Sequence, residues 1–231
     1  NLKWFVYFST DEGFGPAFDP RTTDKEEWDK SLHRDGYLSP KASYNEWDRY
    51  NSTNPYSATK AAGEELCLAY ANTYKLPLFI THCMNAFGER QHPEKYVPLV
   101  INKVLAGETV VIHANSNRTR AGSRFYIHAR NIAAAVLFLL DRAGQRDKYN
   151  IAGEREVDNL TLARMIGQEI GKDLSFELVD FHSSRPGHDL RYALDGSKMA
   201  SMGWKIPVTF DDSLRKTVHW YLDNPRWLNW Q

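Results

Sequence analysis

The chain has 231 residues, and its 29 lysines and arginines balance 29 aspartates and glutamates. A chain of this length can bury a stable core without disulfide or metal support. Because it has no net charge, it lacks the field that draws proteins to nucleic acid or to anionic membranes, so we expect neither as a partner. The strongest candidate for a membrane span, residues 132–140, is much shorter than the roughly 20 residues that a bilayer requires.

The two cysteines, Cys67 and Cys83, fall in a predicted helix and a predicted strand. Secreted disulfide frameworks are usually loop-rich, so we expect both cysteines to be reduced core residues of a cytoplasmic protein. The N-terminus lacks a secretory signal and opens with an apolar aromatic run, residues 4–8, that is typical of a buried strand. Because chain termini are usually exposed, this run predicts that the chain is truncated.

Strands and helices alternate in the first half of the chain, which predicts a parallel α/β architecture. Strands are predicted over residues 3–8 and 77–83, with a helix from Pro55 to residue 75 between them. That helix carries a small-residue apolar face made of Ala58, Ala61, Ala62, Leu66, Leu68 and Ala69. Residues 16–54 are polar and aperiodic, so we expect a surface excursion, long enough for a lid, with one short helix over residues 25–32.

The second half is predicted to form a smaller mixed domain after the sheet. Its predicted helices lie near residues 97–105, 130–142, 160–171 and 211–224, and its predicted strands lie at 110–113, 148–151 and 175–179.

Two groups of polar residues indicate chemistry. Thr10, Asp11 and Glu12 follow the first predicted strand, and ligands of open α/β sheets bind at the carboxyl ends of strands. Tyr56 and Lys60 are four residues apart and therefore share one helical face. A lysine ammonium beside a phenol lowers the pKa of the phenol, which makes Tyr56 a candidate base toward a sugar hydroxyl. Either group alone fits a polar turn or a solvated helix, and their joint occurrence favours an active site.

Several motifs together resemble the dTDP-glucose 4,6-dehydratases of the extended short-chain dehydrogenase/reductase family. The motifs are residues 9–12 with Gly15, NPYSATK at 54–60, PEK at 93–95, and RPGHD at 185–189 followed by Arg191 and Tyr192. The resemblance implies an α/β fold with a remnant of a Rossmann-like parallel sheet and a smaller C-terminal α/β substrate-binding domain. Residues 1–90 would be the end of the NAD-binding domain, and residues 91–231 mainly the nucleotide-sugar-binding domain, with some segments returning to the sheet.

The resemblance also implies a reaction, the NAD-dependent dehydration of a nucleotide-hexose such as dTDP-glucose to a 4-keto-6-deoxy sugar. Tyr56, assisted by Lys60 and Thr10, would take the proton of the 4-hydroxyl while NAD accepts the hydride from carbon 4. Glu12 would remove the carbon-5 proton and Asp11 would protonate the leaving 6-hydroxyl, before the hydride returns to carbon 6. The two carboxyls need opposite protonation states, so their surroundings must separate their pKa values.

The same resemblance predicts a nucleotide-sugar site lined by Asn85, Lys95, Arg120, Asn159, Arg185, His188 and Tyr192, and it places Tyr56 and Lys60 beside the cofactor. Arginine suits a diphosphate through its planar fork of donors. In the basic loop 118–124, Arg124 remains an alternative to Arg120, and His188 fits a structural, hydrogen-bonded histidine equally well. No metal site is expected, since no Cys and His cluster has zinc spacing.

The glycine-rich dinucleotide turn of the family should precede the first strand by about a hundred residues, and the chain contains none. We therefore expect the activity to belong to the intact protein, with this fragment alone inactive. Two alternatives remain open: a nucleotide-sugar epimerase or decarboxylase, and a catalytically silent nucleotide-sugar-binding module. A homodimer is expected from the resemblance, with the Tyr56 helix at its interface, although the small-residue face would equally pack inside one chain.

Overall fold

A computed structural model of the chain describes residues 2–17, 19–20, 41–181 and 190–229. In this part of the chain the strands are Phe5–Thr10 (β1), Leu78–Cys83 (β2), Ala86–Phe87 (β3), Val110–Ala114 (β4), Ser123–Arg124 (β5), Ile127–His128 (β6), Asp147–Ile151 (β7), Val157–Asp158 (β8) and Phe176–Asp180 (β9). The helices are Pro55–Tyr74 (α1), Tyr96–Ala106 (α2), Ala129–Leu140 (α3), Asn159–Ile170 (α4), Ser197–Ser201 (α5) and Phe210–Asp223 (α6). The predicted α/β class is confirmed.

The central sheet is parallel and has the strand order β1-β2-β7. Thr10, the last residue of β1, lies opposite Cys83, the last residue of β2, and Cys83 lies opposite Ile151 of β7. The three strands therefore end at one edge of the sheet. A 3-10 turn over Asp11–Phe14, called here the acid turn, continues from β1 at this edge.

Three apolar clusters hold the described elements together, the smallest of which packs Ala71 of α1 on Leu78 and Ile80 of β2. The other two are larger. One lies on the three-stranded sheet and includes Phe79, Leu139 and Tyr149. The other joins α2, α4 and α6 to β4 and includes Ile112 and Leu162. Helix α3 and strand β7 belong to the first core although they come late in the chain. This arrangement agrees with segments that return to the sheet, while the division at residue 90 stays a prediction.

The start of α1 is fixed by local chemistry. The Asn54 side chain accepts a hydrogen bond from the Ser57 backbone amide, and the Ser57 hydroxyl accepts one from the Asn54 backbone amide. Pro55 occupies the first helical position. Farther along, Gly63 faces β1 so closely that a Cβ atom there would overlap the Tyr7 hydroxyl. The helix bearing Tyr56 and Lys60 therefore lies directly against the strand that leads into the acid turn.

The structure corrects two burial predictions. The aromatic run at the N-terminus predicts a buried strand, but Phe5 and Phe8 of β1 are 41% and 48% exposed. Among the described strands β1 pairs only with β2, so these side chains stay partly open to solvent. The predicted small-residue face of α1 is also largely exposed, with Leu66 at 60%, because the helix turns Glu64 and Ala71 toward the sheet instead.

Part of the expected surface excursion is also buried. Tyr44 and Glu46 are nearly inaccessible, and the Tyr44 backbone bonds to Ala193 and Asp195. The short helix predicted over residues 25–32 lies outside the described residues. The two-residue strands and α5 were not predicted, since such short elements carry no periodicity. Both cysteines are free, and no helix in the described ranges is long and apolar enough to cross a membrane.

Candidate active site

The acid turn is held in place by hydrogen bonds to its backbone groups. The Thr10 hydroxyl accepts a hydrogen bond from the Glu12 amide at 3.3 Å, and the Gly13 carbonyl accepts one from the Asn51 amide at 3.0 Å. Gly15 ends the turn with a φ of 79°, a conformation that glycine adopts readily. The turn therefore presents Asp11 and Glu12 at the sheet edge in fixed positions.

Asp11 is a buried carboxyl with an incomplete set of hydrogen bonds. Its Oδ1 atom accepts from the Thr10 hydroxyl at 3.2 Å, whereas Oδ2 has no hydrogen-bond partner among the described residues. Burial raises the pKa of Asp11 to about 7, a rise that the nearby Arg124 opposes and that Glu12 reinforces. A carboxyl with this pKa carries a proton on a substantial fraction of molecules near neutrality, so Asp11 can act as a proton donor.

Glu12 has different surroundings although it is the next residue. It is only partly buried, and its Oε2 atom accepts a hydrogen bond from the Asn54 side-chain amide at 3.0 Å. Asn54, which also caps α1, thus ties the acid turn to the start of the helix. Two adjacent carboxyls in unlike environments are the arrangement that acid and base roles require.

The structure brings Tyr56 to the acid turn. Burial and the Glu12 charge raise the pKa of Tyr56, while a hydrogen bond with the Thr10 hydroxyl lowers it. Lys60 donates to the Phe8 carbonyl at 2.9 Å and lies 5.2 Å from the centre of the Tyr7 ring. The predicted lowering of the phenol pKa is therefore wrong for this structure, because burial and carboxylate charge outweigh the groups that favour phenolate.

The two arginines of the basic loop have different neighbours, and which of them binds a diphosphate stays a prediction. Arg124 lies 4.4 Å from the centre of the Tyr192 ring and close enough to Asp11 to oppose the rise in its pKa. Arg120 instead pairs with Asp19 at 3.2 Å. Of the two, Arg124 is the one that the fold places beside the acid turn.

The remaining predicted ligands lie on other segments of the chain. Asn85 and Lys95 are exposed, the latter at the start of α2, and the Asn159 side-chain oxygen accepts from the Tyr126 hydroxyl at 2.7 Å. Arg185 and His188 lie outside the described residues. In the ranges that the structure describes, no group of three His, Cys, Asp or Glu side chains could hold a metal ion.

Sequence reasoning missed two participants. One is Asn54, which donates a hydrogen bond to Glu12. The other is a buried ionic cluster around Glu64, His82 and Lys148 directly behind the acid turn. A signal for Glu64 does exist, since it follows Tyr56 by eight residues and Lys60 by four and so shares their helical face.

Comparison with known proteins finds relatives over most of the chain. A 4,6-dehydratase for dTDP-glucose from Escherichia coli strain K12 is 34% identical over 192 residues, covering 80% of this chain and 52% of the relative. A trifunctional enzyme of Arabidopsis thaliana that includes a UDP-glucose 4,6-dehydratase is 33% identical over 226 residues, or 98% of this chain and 30% of the relative. The crystal structure of DesIV, a dTDP-glucose 4,6-dehydratase from Streptomyces venezuelae with NAD bound, gives a TM-score of 0.79 at 30% identity.

That structure is matched over 97% of this chain and 61% of its own length. The chain spans about half the length of the curated Escherichia coli relative. The family model for the NAD dependent epimerase/dehydratase family matches residues 1–152. The chain belongs to the NAD-dependent epimerase/dehydratase family.

Proposed function

We propose that the intact protein is an NAD-dependent nucleotide-sugar 4,6-dehydratase acting on dTDP-glucose or a similar pyrimidine-nucleotide hexose. The observation that carries this proposal is the acid turn, where Asp11 is buried with a pKa of about 7 beside the hydrogen-bonded Glu12. An epimerase has no need of a group that expels water. A buried proton donor next to a second carboxyl therefore favours elimination over epimerisation.

Each step has a residue in position. Tyr56 would take the proton of the sugar 4-hydroxyl, with the Thr10 hydroxyl stabilising the phenolate. The ketone formed at carbon 4 acidifies the carbon-5 hydrogen, which Glu12 would remove. Asp11 would pass its proton to the 6-hydroxyl, which leaves as water. Glu12 would finally return its proton to carbon 5.

The residues present fit the cofactor of the family. NAD, when bound, supplies the chemistry that accepts a hydride from carbon 4 and returns it to carbon 6. Tyr56 is 52% exposed, and the Lys60 ammonium donates one hydrogen bond to the Phe8 carbonyl. An ammonium has three donors, so Lys60 can hold a ribose hydroxyl while it remains anchored to β1.

The test is the Glu12→Gln variant of the intact protein with NAD and dTDP-glucose. Wild type should release a 4-keto-6-deoxy sugar. The variant should bind the nucleotide sugar normally and lose about 100-fold or more of its turnover, because an amide cannot remove the carbon-5 proton. Glu108→Gln, a change at a surface carboxyl that is 61% exposed and belongs to none of the motifs, is the matched control and should leave turnover unchanged. Unchanged turnover in Glu12→Gln would falsify the assignment.

Other activities make different predictions for the same material. A 4-epimerase would return a hexose that keeps its 6-hydroxyl, and a decarboxylase would release carbon dioxide from a uronic acid. A catalytically silent module would bind dTDP in calorimetry without any turnover by the intact protein. Comparing turnover of dTDP-glucose with that of UDP-glucose identifies the nucleobase that the substrate carries, since relatives that act on each of these nucleotide sugars exist.

We also propose a cytoplasmic homodimer. Its interface would include the outer surface of α1, where Leu66, Tyr70 and Tyr74 are 60%, 52% and 71% exposed. Exposed apolar side chains in this number on one helix are typical of an interaction surface. Two free cysteines support a reducing compartment. Sedimentation equilibrium of the intact protein tests the dimer, and a monomer at micromolar concentration contradicts it.

A further inference from the structure

A cluster of charged side chains lies behind the acid turn, almost sealed from solvent. The side chains of Glu64, His82 and Lys148 are 1%, 0% and 4% exposed. The Glu64 Oε2 atom lies 3.0 Å from His82 Nε2 and 3.1 Å from Lys148 Nζ. The Ser9 hydroxyl donates to its Oε1 atom, and the Tyr50 hydroxyl donates to Oε2. Glu64 therefore accepts on both oxygens, which requires the ionised carboxylate.

Hydrogen bonds also fix the orientation of the His82 ring. The Asn150 amide nitrogen donates to the carbonyls of Tyr44 and Asp195 at 2.9 and 3.0 Å, which turns its oxygen toward His82 Nδ1 at 2.9 Å. The Nε2 atom faces Glu64 Oε2 at 3.0 Å. Both ring nitrogens therefore have buried polar partners, and the ring is held from two sides.

The network extends beyond the three central side chains. Glu46, 5% exposed, accepts from the backbone of Asn150, the residue that also contacts His82, at 3.1 Å. Burial raises the pKa of Glu64, but its bonds to His82, Ser9 and Tyr50 outweigh burial and lower it to about 2.

The cluster joins the three segments that carry the proposed catalytic groups. Ser9 immediately precedes Thr10 in β1. The Tyr50 ring packs 5.1 Å from the Phe14 ring of the acid turn and belongs to the segment that leads to Asn54. Glu64 itself belongs to α1, two turns beyond Tyr56 on the same face. One carboxylate therefore sets the register between strand, turn and helix.

We propose that Glu64, held by His82 and Lys148, is a positioning residue that fixes the Tyr56 phenol relative to the Asp11 and Glu12 carboxyls. The inference rests on the proposed function and names a determinant that touches neither substrate nor cofactor. Buried ion pairs can often be replaced by apolar residues of similar volume without loss of stability, so stability alone does not require this buried cluster. Directional bonds to three segments do what apolar packing cannot, since they specify one mutual orientation.

The test compares Glu64→Gln with wild type in the intact protein. We expect kcat to fall about 10- to 100-fold, because small displacements of reacting groups carry losses of this size. The KM for the nucleotide sugar should stay within about twofold, since Glu64 does not contact it. Glu89→Gln is the matched control, because Glu89 Oε2 also pairs with a buried histidine, His128, at 3.1 Å. It should lower the melting temperature comparably and leave kcat near the wild-type value.

Two further measurements do not depend on turnover. Nitrogen NMR of the histidine rings should show the His82 Nε2 resonance shifted between wild type and Glu64→Gln, because the variant loses the carboxylate that faces this nitrogen. Crystal structures should show the Tyr56 phenol displaced from the acid turn in the variant only. If the wild-type protein has no dehydratase activity, the proposed function fails while these two results still decide the positioning role.

Three outcomes overturn the inference: an unchanged kcat in folded Glu64→Gln, losses of kcat that follow melting temperature equally in both variants, or a Tyr56 phenol that keeps its wild-type position in the crystal structure of Glu64→Gln. Should Glu64→Gln not fold, Ser9→Ala removes one bond from β1 and leaves no buried charge unpaired. It should lower kcat severalfold with KM unchanged. A wild-type kcat in Ser9→Ala would then reject the link between the cluster and the acid turn.

Discussion

Asp11 and Glu64 are two buried carboxyls on opposite sides of one strand end, and their protonation behaviour differs. Asp11 is 5% exposed, leaves one oxygen without a partner in the described structure, and has a pKa raised to about 7. Glu64 is 1% exposed, accepts bonds on both oxygens, and has a pKa lowered to about 2. Burial raises both values, so the donors around each group decide the final direction.

The difference separates a group that can exchange a proton from one that cannot. Asp11 can bind and release a proton near neutral pH, which suits a step in which water leaves. Glu64 stays ionised across the physiological range and can serve only as a fixed acceptor. Three predictions test this division through Asp11, and one tests it through the cluster.

The largest effect is expected from Asp11→Asn. An amide cannot protonate the leaving hydroxyl, so elimination should slow by about 100- to 10,000-fold. Single-turnover measurement of the 4-keto-6-deoxy product in the intact protein checks this. A loss of less than tenfold would show that another group supplies the proton.

The same variant tests the raised pKa through stability. The folded protein holds the Asp11 proton at pH values where the unfolded chain releases it, so wild type loses stability as the pH rises from about 4 to about 7. Asparagine has no proton to release, so the variant should gain stability relative to wild type across that window, by about 1.4 kcal/mol for each tenfold difference in the acid dissociation constant between the folded and unfolded chain. Urea unfolding at pH 5 and pH 8 measures the difference. A constant difference between those pH values contradicts the raised pKa.

A somewhat smaller effect is expected when the cluster loses a cation. Lys148→Met should lower the free energy of unfolding by about 3 kcal/mol, because it leaves the Glu64 carboxylate buried with one charge partner fewer. Lys103→Met is the control, since Lys103 pairs with Glu108 on the surface and should change stability by less than about 1 kcal/mol. Equal effects in the two variants would mean that Glu64 is not an electrostatically demanding site.

The smallest effect is a displacement along the pH axis. Arg124 opposes the rise in the pKa of Asp11, so Arg124→Ala should raise that pKa further. The alkaline decline of the elimination rate should then move to higher pH. Arg120→Ala, which removes a partner of Asp19, should leave the position of the decline unchanged whatever it does to KM. If the alkaline decline does not move in Arg124→Ala, Arg124 does not influence the pKa of Asp11. If the decline moves equally in Arg120→Ala, the effect is not specific to Arg124.

Local features of the sequence predicted much of the fold. The Asn54 and Pro55 pair marks the start of α1, and the polar residues after β1 mark a strand end, because capping and strand termination depend on near neighbours. The association of Tyr56 with the acid turn followed from the order of elements in parallel α/β proteins.

Features set by long-range contacts were not predictable in the same way. The cluster joins Tyr50, Glu64, His82 and Lys148, which are far apart in the chain and share no pattern of spacing. The direction of the Tyr56 pKa depends on the partial burial of the phenol and on its position beside Glu12, which only the folded chain sets. The preference for Arg124 over Arg120 depends on which side of a short loop faces the sheet edge.

Gly63 has a consequence for engineering this protein. Alanine is favoured over glycine within helices by about 1 kcal/mol, so a search for heat-resistant variants based on helix propensity would select Gly63→Ala. The added methyl group would overlap the Tyr7 hydroxyl, so either the Tyr7 side chain or α1 would have to shift to admit it. Because Tyr56 and Lys60 belong to that helix, a residue without any functional group limits which substitutions the catalytic centre tolerates.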